Sequence, residues 1–75
     1  MMHTSPSFDV SVVIPLLDEE ESLRELTSGI EKVLDGLSFE IIFVDDGSQD
    51  GSWAVIDQLH QAQPEIIRGI RFARN

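Results

Sequence analysis

Residues 41–44 read Ile-Ile-Phe-Val, and the next three are Asp45, Asp46 and Gly47. Successive side chains of a strand point to opposite faces, so an unbroken apolar run makes a strand that is oily on both. Strands of that kind belong to parallel sheets covered on two sides, and parallel neighbours must be joined by a long crossover, usually a helix. The flanking sequence supplies such connections. Val10 to Ile14 form a β-branched run that Pro15, which lacks a backbone donor, is expected to end. Leu23, Leu26, Ile30, Val33, Leu34 and Leu37 then recur at threes and fours, the stripe of an amphipathic helix. Asp18 is its candidate N-cap, with Glu21 three residues on as in a capping box, and Gly36 stands where a C-cap belongs. Acidic residues crowd the first turn, where the helix dipole favours them. Gly29 lies mid-helix and weakens it by ~1 kcal/mol relative to Ala. Beyond the turn cluster "DDGSQDGS", "WAVIDQLHQAQ" predicts a second helix, capped by Asp50 or Ser52, with Val55, Leu59 and Ala62 on one stripe and Pro64 as its stop. A third strand is expected over about residues 66–72.

The order β-α-β-α-β implies an α/β fold with three parallel strands in spatial order 3-2-1. Two successive right-handed crossovers in that order put both helices on one face of the sheet. The other face is left bare, although the strands are apolar on both. Residues 9–75 are therefore read as the truncated part of a larger α/β domain, preceded by a disordered leader over residues 1–8. The uncovered face is expected to make the 75-residue chain self-associate. A chain of this length holds one domain and buries only ~60% of its unfolded surface, a marginal core.

The net charge is -9, from 14 acidic residues against 5 Lys and Arg. Nucleic acid is not the expected partner, since its binders need a basic footprint. No Cys is present, which removes disulfides, thiolate metal sites and cysteine nucleophiles. No apolar run approaches the ~18 residues of a membrane span, and the start lacks the basic and apolar regions of a signal peptide. These features suit a cytoplasmic location.

Ligands of open parallel sheets bind outside the carboxyl ends of the strands. Three polar segments fall there: "PLLDEE", "DDGSQDG" and "ARN". Asp46 can accept a hydrogen bond from a ring N–H or a ribose hydroxyl. Gly47 lets the chain turn tightly and a ligand come close. Glu19 or Glu20 could accept a ribose hydroxyl, and Pro15 with Leu17 offers an apolar wall to a flat base. The set is rich in acceptors and suits a nucleoside; neither phosphate-cradling glycine motif is present. Plainer readings stand beside these. Asp45 to Ser48 also describes a polar turn, and "DEEE" a solvated helix start. His3 and His60 read as surface residues, Trp53 as packing, and Ser48 and Ser52 have no histidine partner for nucleophilic work.

"VSVVIPLLDEEESL", followed about thirty residues later by "EIIFVDDGSQDGS", resembles the start of family-2 glycosyltransferases of the GT-A fold. The likeness is stronger to the polyprenyl-phosphate (dolichol-phosphate) mannosyl- and glucosyltransferase branch. There the first strand ends in Pro-x-Tyr-Asn-Glu-Glu and the second in Val-Asp-Asp-Gly-Ser-x-Asp-Gly-Ser/Thr; the closing "FARN" resembles the Arg-Asn after the third strand. The resemblance covers residues 9 to 75 and implies a Rossmann-like half of a nucleotide-diphospho-sugar transferase domain. By position it implies that Pro15 and Leu17 line the nucleobase, Glu19 contacts the nucleoside, Asp46 accepts the base N–H, and Val44 and Gly47 flank the pocket. Asp45 is assigned to holding the turn. Leu17 stands for the usual Tyr and Asp18 for the usual Asn. The implied parent enzyme moves a hexosyl group from a UDP- or GDP-sugar to a polyprenyl phosphate or similar acceptor, at the cytoplasmic face of a membrane or in the cytoplasm. Mg²⁺ or Mn²⁺ would offset the diphosphate charge. The family's metal-binding Asp-x-Asp and catalytic groups come after a fourth strand, so no metal ligand or catalytic residue is assigned within this sequence. The alternative is a non-enzymatic α/β interaction module of flavodoxin- or receiver-like form. The receiver form is disfavoured because its acidic pair follows the first strand and is joined by a later Lys, whereas the lone lysine here, Lys32, falls on the first helix.

Overall fold

In the computed structural model, residues 2–3 and 8–72 are described. Strand β1 (Met2–His3) is followed by β2 (Val10–Leu16), helix α1 (Leu23–Val33), β3 (Phe39–Asp45), helix α2 (Ser52–Ala62) and β4 (Ile67–Arg71). They form one sheet in the order β1-β2-β3-β4. The last three strands are parallel, with Val12 opposite Ile41 and Ile41 opposite Ile67, in the expected adjacency. Met2–His3, within the stretch read as a leader, pairs antiparallel with Val12 and Ser11, and residues 1 and 4–7 of that stretch lie outside the described residues. Arg74 and Asn75, the closing pair of the family likeness, lie outside the described residues.

Strand alternation sorts the side chains cleanly. Val12, Leu16, Ile41, Phe43 and Ile67 share one face and are buried. Leu23 of α1 and Ile56 of α2 form one core cluster with Leu16, Ile41, Phe43 and Ile67, so both helices lie on one side of the sheet. They are tied to each other by Arg24 donating to Gln58 and by Gln63 donating to Glu31 at 3.2 Å. The opposite face carries Val13, Ile42 and Val44, each partly exposed, with Ile70 at 48% and Phe72 at 53% exposure. At its amino end this face is polar. Glu40 is buried there, accepting from the Ser11 hydroxyl and from the Arg68 guanidinium, each at 2.5 Å.

Several local expectations are corrected. Pro15 does not end the first strand, which continues to Leu16. Beyond Val12, β2 pairs with β3 alone among the described residues, and proline is tolerated on such an edge. Helix α1 starts at Leu23, with Ser22 rather than Asp18 at the N-cap. Asp18 adopts φ +52°, a left-handed conformation incompatible with a helix start. The expected apolar stripe of α1 splits: Leu23 and Leu34 are buried, but Leu26, Val33 and Leu37 are exposed and Thr27 takes an inner position. Its hydroxyl donates to the Leu23 carbonyl, which is how a polar residue is accommodated there. On α2 the buried line runs through Ser52 and Ile56, with Val55 and Leu59 at its margin and Ala62 exposed. Gly36 is not the C-cap of α1, a position taken by Leu34; at φ +88° it lies in the turn two residues further on.

Candidate functional site

The carboxyl ends of β2 and β3 meet in register. Pro15 stands opposite Val44 and Leu16 opposite Asp45, and the Asp46 amide extends the ladder by donating to the Leu16 carbonyl at 3.0 Å. Side chains alternate, so Pro15 and Val44 lie together on the face opposite the two helices. Pro15, Leu17 and Asp46 are exposed, and Val44 and Gly47 are partly so. Gly47 has φ +91°, a value that a residue with a Cβ rarely adopts. The fold thus gathers five of the six expected nucleoside contacts at one corner of the sheet. Glu19 is held toward α2: its amide donates to Ser52 Oγ at 2.9 Å, and its exposed carboxylate accepts from the Ser22 hydroxyl at 3.0 Å.

The two adjacent aspartates have different environments. Asp45 is fully buried, and its Oδ1 accepts the Ser48 amide at 2.8 Å, an Asx-type turn that fixes the loop. Its Oδ2 is also buried and meets no donor among the described residues. Its backbone carbonyl accepts the Phe72 amide at 2.9 Å, joining the loop to the end of β4. Asp46 follows with its side chain exposed to solvent, where a ligand can reach it.

Sequence reasoning missed how the two acidic loops hold each other. Asp18 Oδ1 accepts the amides of Gln49 at 2.8 Å and Asp50 at 3.3 Å. Glu20 Oε1 accepts the Gly51 amide at 2.9 Å. In return, the Asp18 amide donates to Ser48 Oγ at 2.8 Å, and the Glu20 amide to Asp50 Oδ2 at 3.3 Å. A Cβ on Gly51 would come within 2.5 Å of Glu20 Oε2, so this glycine admits the carboxylate. Asp50 also receives the Ser52 hydroxyl at 2.5 Å and the Ser52 amide at 2.8 Å. These bonds, led by that of the Ser52 hydroxyl, hold the Asp50 carboxyl below its ordinary pKa against partial desolvation. The contact from the Ser52 amide is the one expected of a helix cap, although α2 has Gly51 at its N-cap position. The signal for this network was present: "DEEE" is rich in acceptors and "DGSQDGS" in backbone donors. Nothing in the sequence alone says that the two segments face each other.

Trp53 and His60 are both partly buried. Trp53 packs on the core and lies under the Arg71 guanidinium, 5.6 Å from its ring centre. His60 was expected to be an ordinary surface residue, yet its Nδ1 sits 2.6 Å from the Ile67 carbonyl and fastens α2 to β4. Among the described residues no group of three or more His, Asp or Glu is placed to hold a metal ion. Asp18, Glu20 and Asp50 each accept backbone amides.

The family model of glycosyl transferase family 2 matches residues 11–75. The chain belongs to glycosyl transferase family 2. It is 45% identical over 60 residues to a dolichol-phosphate mannosyltransferase of Pyrococcus furiosus, an overlap of 79% of this chain and 17% of that protein. It is 41% identical over 68 residues to an undecaprenyl-phosphate 4-deoxy-4-formamido-L-arabinose transferase of Aeromonas hydrophila, covering 88% of this chain and 21% of the relative. The chain therefore spans about a fifth of the length of these relatives. The match supports the polyprenyl-phosphate branch of the family and removes the receiver-like alternative. The parallel βαβαβ arrangement is that of a Rossmann-like GT-A half. No helix among the described residues is long and apolar enough to cross a membrane.

Proposed function

We propose that residues 9–75 are the nucleoside-binding part of a glycosyltransferase domain that moves a hexosyl group from a UDP- or GDP-sugar to a polyprenyl phosphate or similar lipid phosphate, working at the cytoplasmic face of a membrane. The observation that carries this reading is the register of β2 and β3. It sets Pro15 beside Val44 and projects Asp46 from the strand end into solvent, within a family-2 chain. In this reading Pro15, Leu17 and Val44 form the wall for the base, Asp46 accepts its ring N–H, Gly47 gives backbone access, and Glu19 faces the sugar of the nucleoside. Leu17, in place of an aromatic residue, offers apolar contact without stacking.

The divalent cation expected in such an enzyme would be held by residues outside this chain. Chemistry is likewise assigned to the remaining four-fifths of a relative's length, so the 75-residue chain is expected to bind without turnover. Its uncovered sheet face is expected to draw a second copy. The test is a titration of UDP and of GDP into this chain and into Asp46→Ala, followed by calorimetry or NMR shifts. One nucleotide should bind, and Asp46→Ala should weaken it by about tenfold, the value of one hydrogen bond to a charged group. Equal binding by the two proteins removes Asp46 from the site, and turnover of a sugar donor by the chain alone overturns its role as a binding part.

A further inference from the structure

The amides of Ser48, Gln49, Asp50, Gly51 and Ser52 form an unbroken run leading into α2, and each donates to a carboxylate of this chain. The acceptors are Asp45 for Ser48, Asp18 for Gln49 and Asp50, Glu20 for Gly51, and Asp50 for Ser52. A glycine-containing loop of successive amides at the start of a helix is the kind of backbone that ordinarily receives an anionic ligand oxygen, usually of a phosphate. Here those donors are already used. From the other side, the amides of Asp18, Glu19 and Glu20 donate to Ser48 Oγ, Ser52 Oγ and Asp50 Oδ2. The two loops are thus pinned in both directions.

We propose that this reciprocal network is a latch. Asp18 and Glu20 act as internal anions: they hold the loop after β2 against the loop after β3 without a ligand, and they close the amide run of 48–52 to phosphate. Asp18 is the central positioning residue. Its left-handed backbone, φ +52°, turns the chain so that Leu17 stays on the nucleoside side while its carboxylate reaches two amides of the opposite loop. The requirement is one acceptor oxygen on a short side chain that tolerates a left-handed backbone. Asp and Asn both meet it. The consequence for a nucleotide is that its base and ribose meet a preformed corner, while its diphosphate lies away from the start of α2. This last point rests on the nucleoside reading above; the latch itself does not.

The discriminating variants are Asp18→Gly, which removes the carboxylate and relieves the left-handed backbone, and Asp18→Asn, which keeps the acceptor. Amide hydrogen exchange at Gln49 and Asp50 should rise about tenfold in Asp18→Gly and stay near the wild-type rate in Asp18→Asn, as expected for loss or retention of a local pair of hydrogen bonds. Exchange at Ile42 and Phe43, inside β3, should be unchanged in both. If Asp18→Gly leaves Gln49 and Asp50 unaffected, or speeds the β3 amides by the same factor, the latch is overturned. Inorganic phosphate should leave the amide shifts of Gln49 to Gly51 in place in the wild type; a saturable shift there overturns the closure to phosphate. Binding of UDP or GDP should weaken in Asp18→Gly and be rescued in Asp18→Asn. If the wild type binds neither nucleotide, the nucleoside reading fails, and the exchange rates decide the latch by themselves.

Discussion

Asp18 Oδ1 lies 2.8 Å from the amide nitrogen of Gln49, 31 residues further along the chain. This contact joins the end of the first parallel strand to the start of the second helix and sets the spacing of the two loops that flank Pro15, Val44 and Asp46. It also recasts the acidic stretch 18–21. Of its four carboxylates, those of Asp18 and Glu20 hold backbone donors of the opposite loop, and that of Glu19 takes a hydroxyl of its own turn. The residues alone leave Glu19 and Glu20 open as ribose acceptors, and the family resemblance points to Glu19. Both carboxylates are engaged within the chain, Glu20 by the Gly51 amide of the opposite loop and Glu19 by the Ser22 hydroxyl of its own turn.

Asp50 gives this network a pH signature. The Ser52 hydroxyl, followed by the amides of Ser52 and Glu20, lowers its carboxyl from the ordinary 3.8. A carboxyl whose folded pKa is depressed contributes stability that is fully present above its unfolded value and is lost as pH falls through the folded one. The start of α2 should therefore stay intact through pH 3.8 and loosen only below it. An NMR titration of the Asp50 carboxyl carbon should give a midpoint under that value, and Ser52→Ala should move it back up. A wild-type midpoint at or above the ordinary value would show that these hydrogen bonds do not persist in solution.

The features legible in the sequence were those with local or periodic causes. Four oily residues ending on Asp45 announced a parallel strand, and the alternation of strand and helix then determined the strand adjacency and the bare face. The turn chemistry of Asp45, Asp46 and Gly47 located the candidate corner, and the family motifs assigned its residues. The contacts that remained hidden depend on side chains from distant segments. Asp18 was read as a helix cap because the local rule sees an acidic residue before an apolar stripe. It lost that role because Gln49 and Asp50, invisible to a local rule, offered it better donors. The α1 stripe was overestimated for a related reason. Helical spacing marks apolar residues without saying what covers them, and Leu26 and Val33 border an open groove of about 540 Å³ alongside Val12 and Ile30.

Gly69 lies where α2 packs closely on β4. A Cβ there would lie 2.7 Å from Ile56 Cγ2 and 3.0 Å from the Trp53 ring. Ile56 is in the core and cannot withdraw freely. Gly69→Ala should therefore cost about 1–3 kcal/mol through overpacking, despite the better strand propensity of alanine. Urea denaturation of the two proteins checks this. A variant as stable as the wild type would show that α2 can shift outward at no cost.

Glu40 is buried on the face opposite the helices, held by Ser11 from one neighbouring strand and Arg68 from the other. Glu40→Ala should destabilise by about 1–3 kcal/mol, because the buried Ser11 hydroxyl loses its acceptor. Arg68→Met should cost less than Glu40→Ala, since Glu40 keeps the Ser11 hydroxyl and the guanidinium is 57% exposed, but more than the loss of a surface pair, because the carboxylate it leaves is buried. If the two substitutions cost the same in denaturant melts, the ion pair rather than the buried hydroxyl contact governs this end of the sheet.

The corner assigned to the nucleoside and the apolar surface expected to self-associate are the same face. Pro15, Val44 and Ile70 lie side by side across β2, β3 and β4, and Ile70 and Phe72 are about half exposed. A second copy covering this face would bury the wall offered to the base, so nucleotide and self-association should compete. By linkage, a ligand that binds the monomer alone draws the equilibrium toward it. Sedimentation of the wild type should show dimers or larger species, and the nucleotide that binds should shift them toward monomer. The double variant Ile70→Ser, Phe72→Ser should sediment as monomer without added ligand, and it should bind nucleotide more tightly than the wild type because no partner has to be displaced. A wild type that stays monomeric at its highest soluble concentration defeats the self-association. Assemblies that persist unchanged in saturating nucleotide would place their interface elsewhere, with the groove between α1 and β2 the next apolar surface to test.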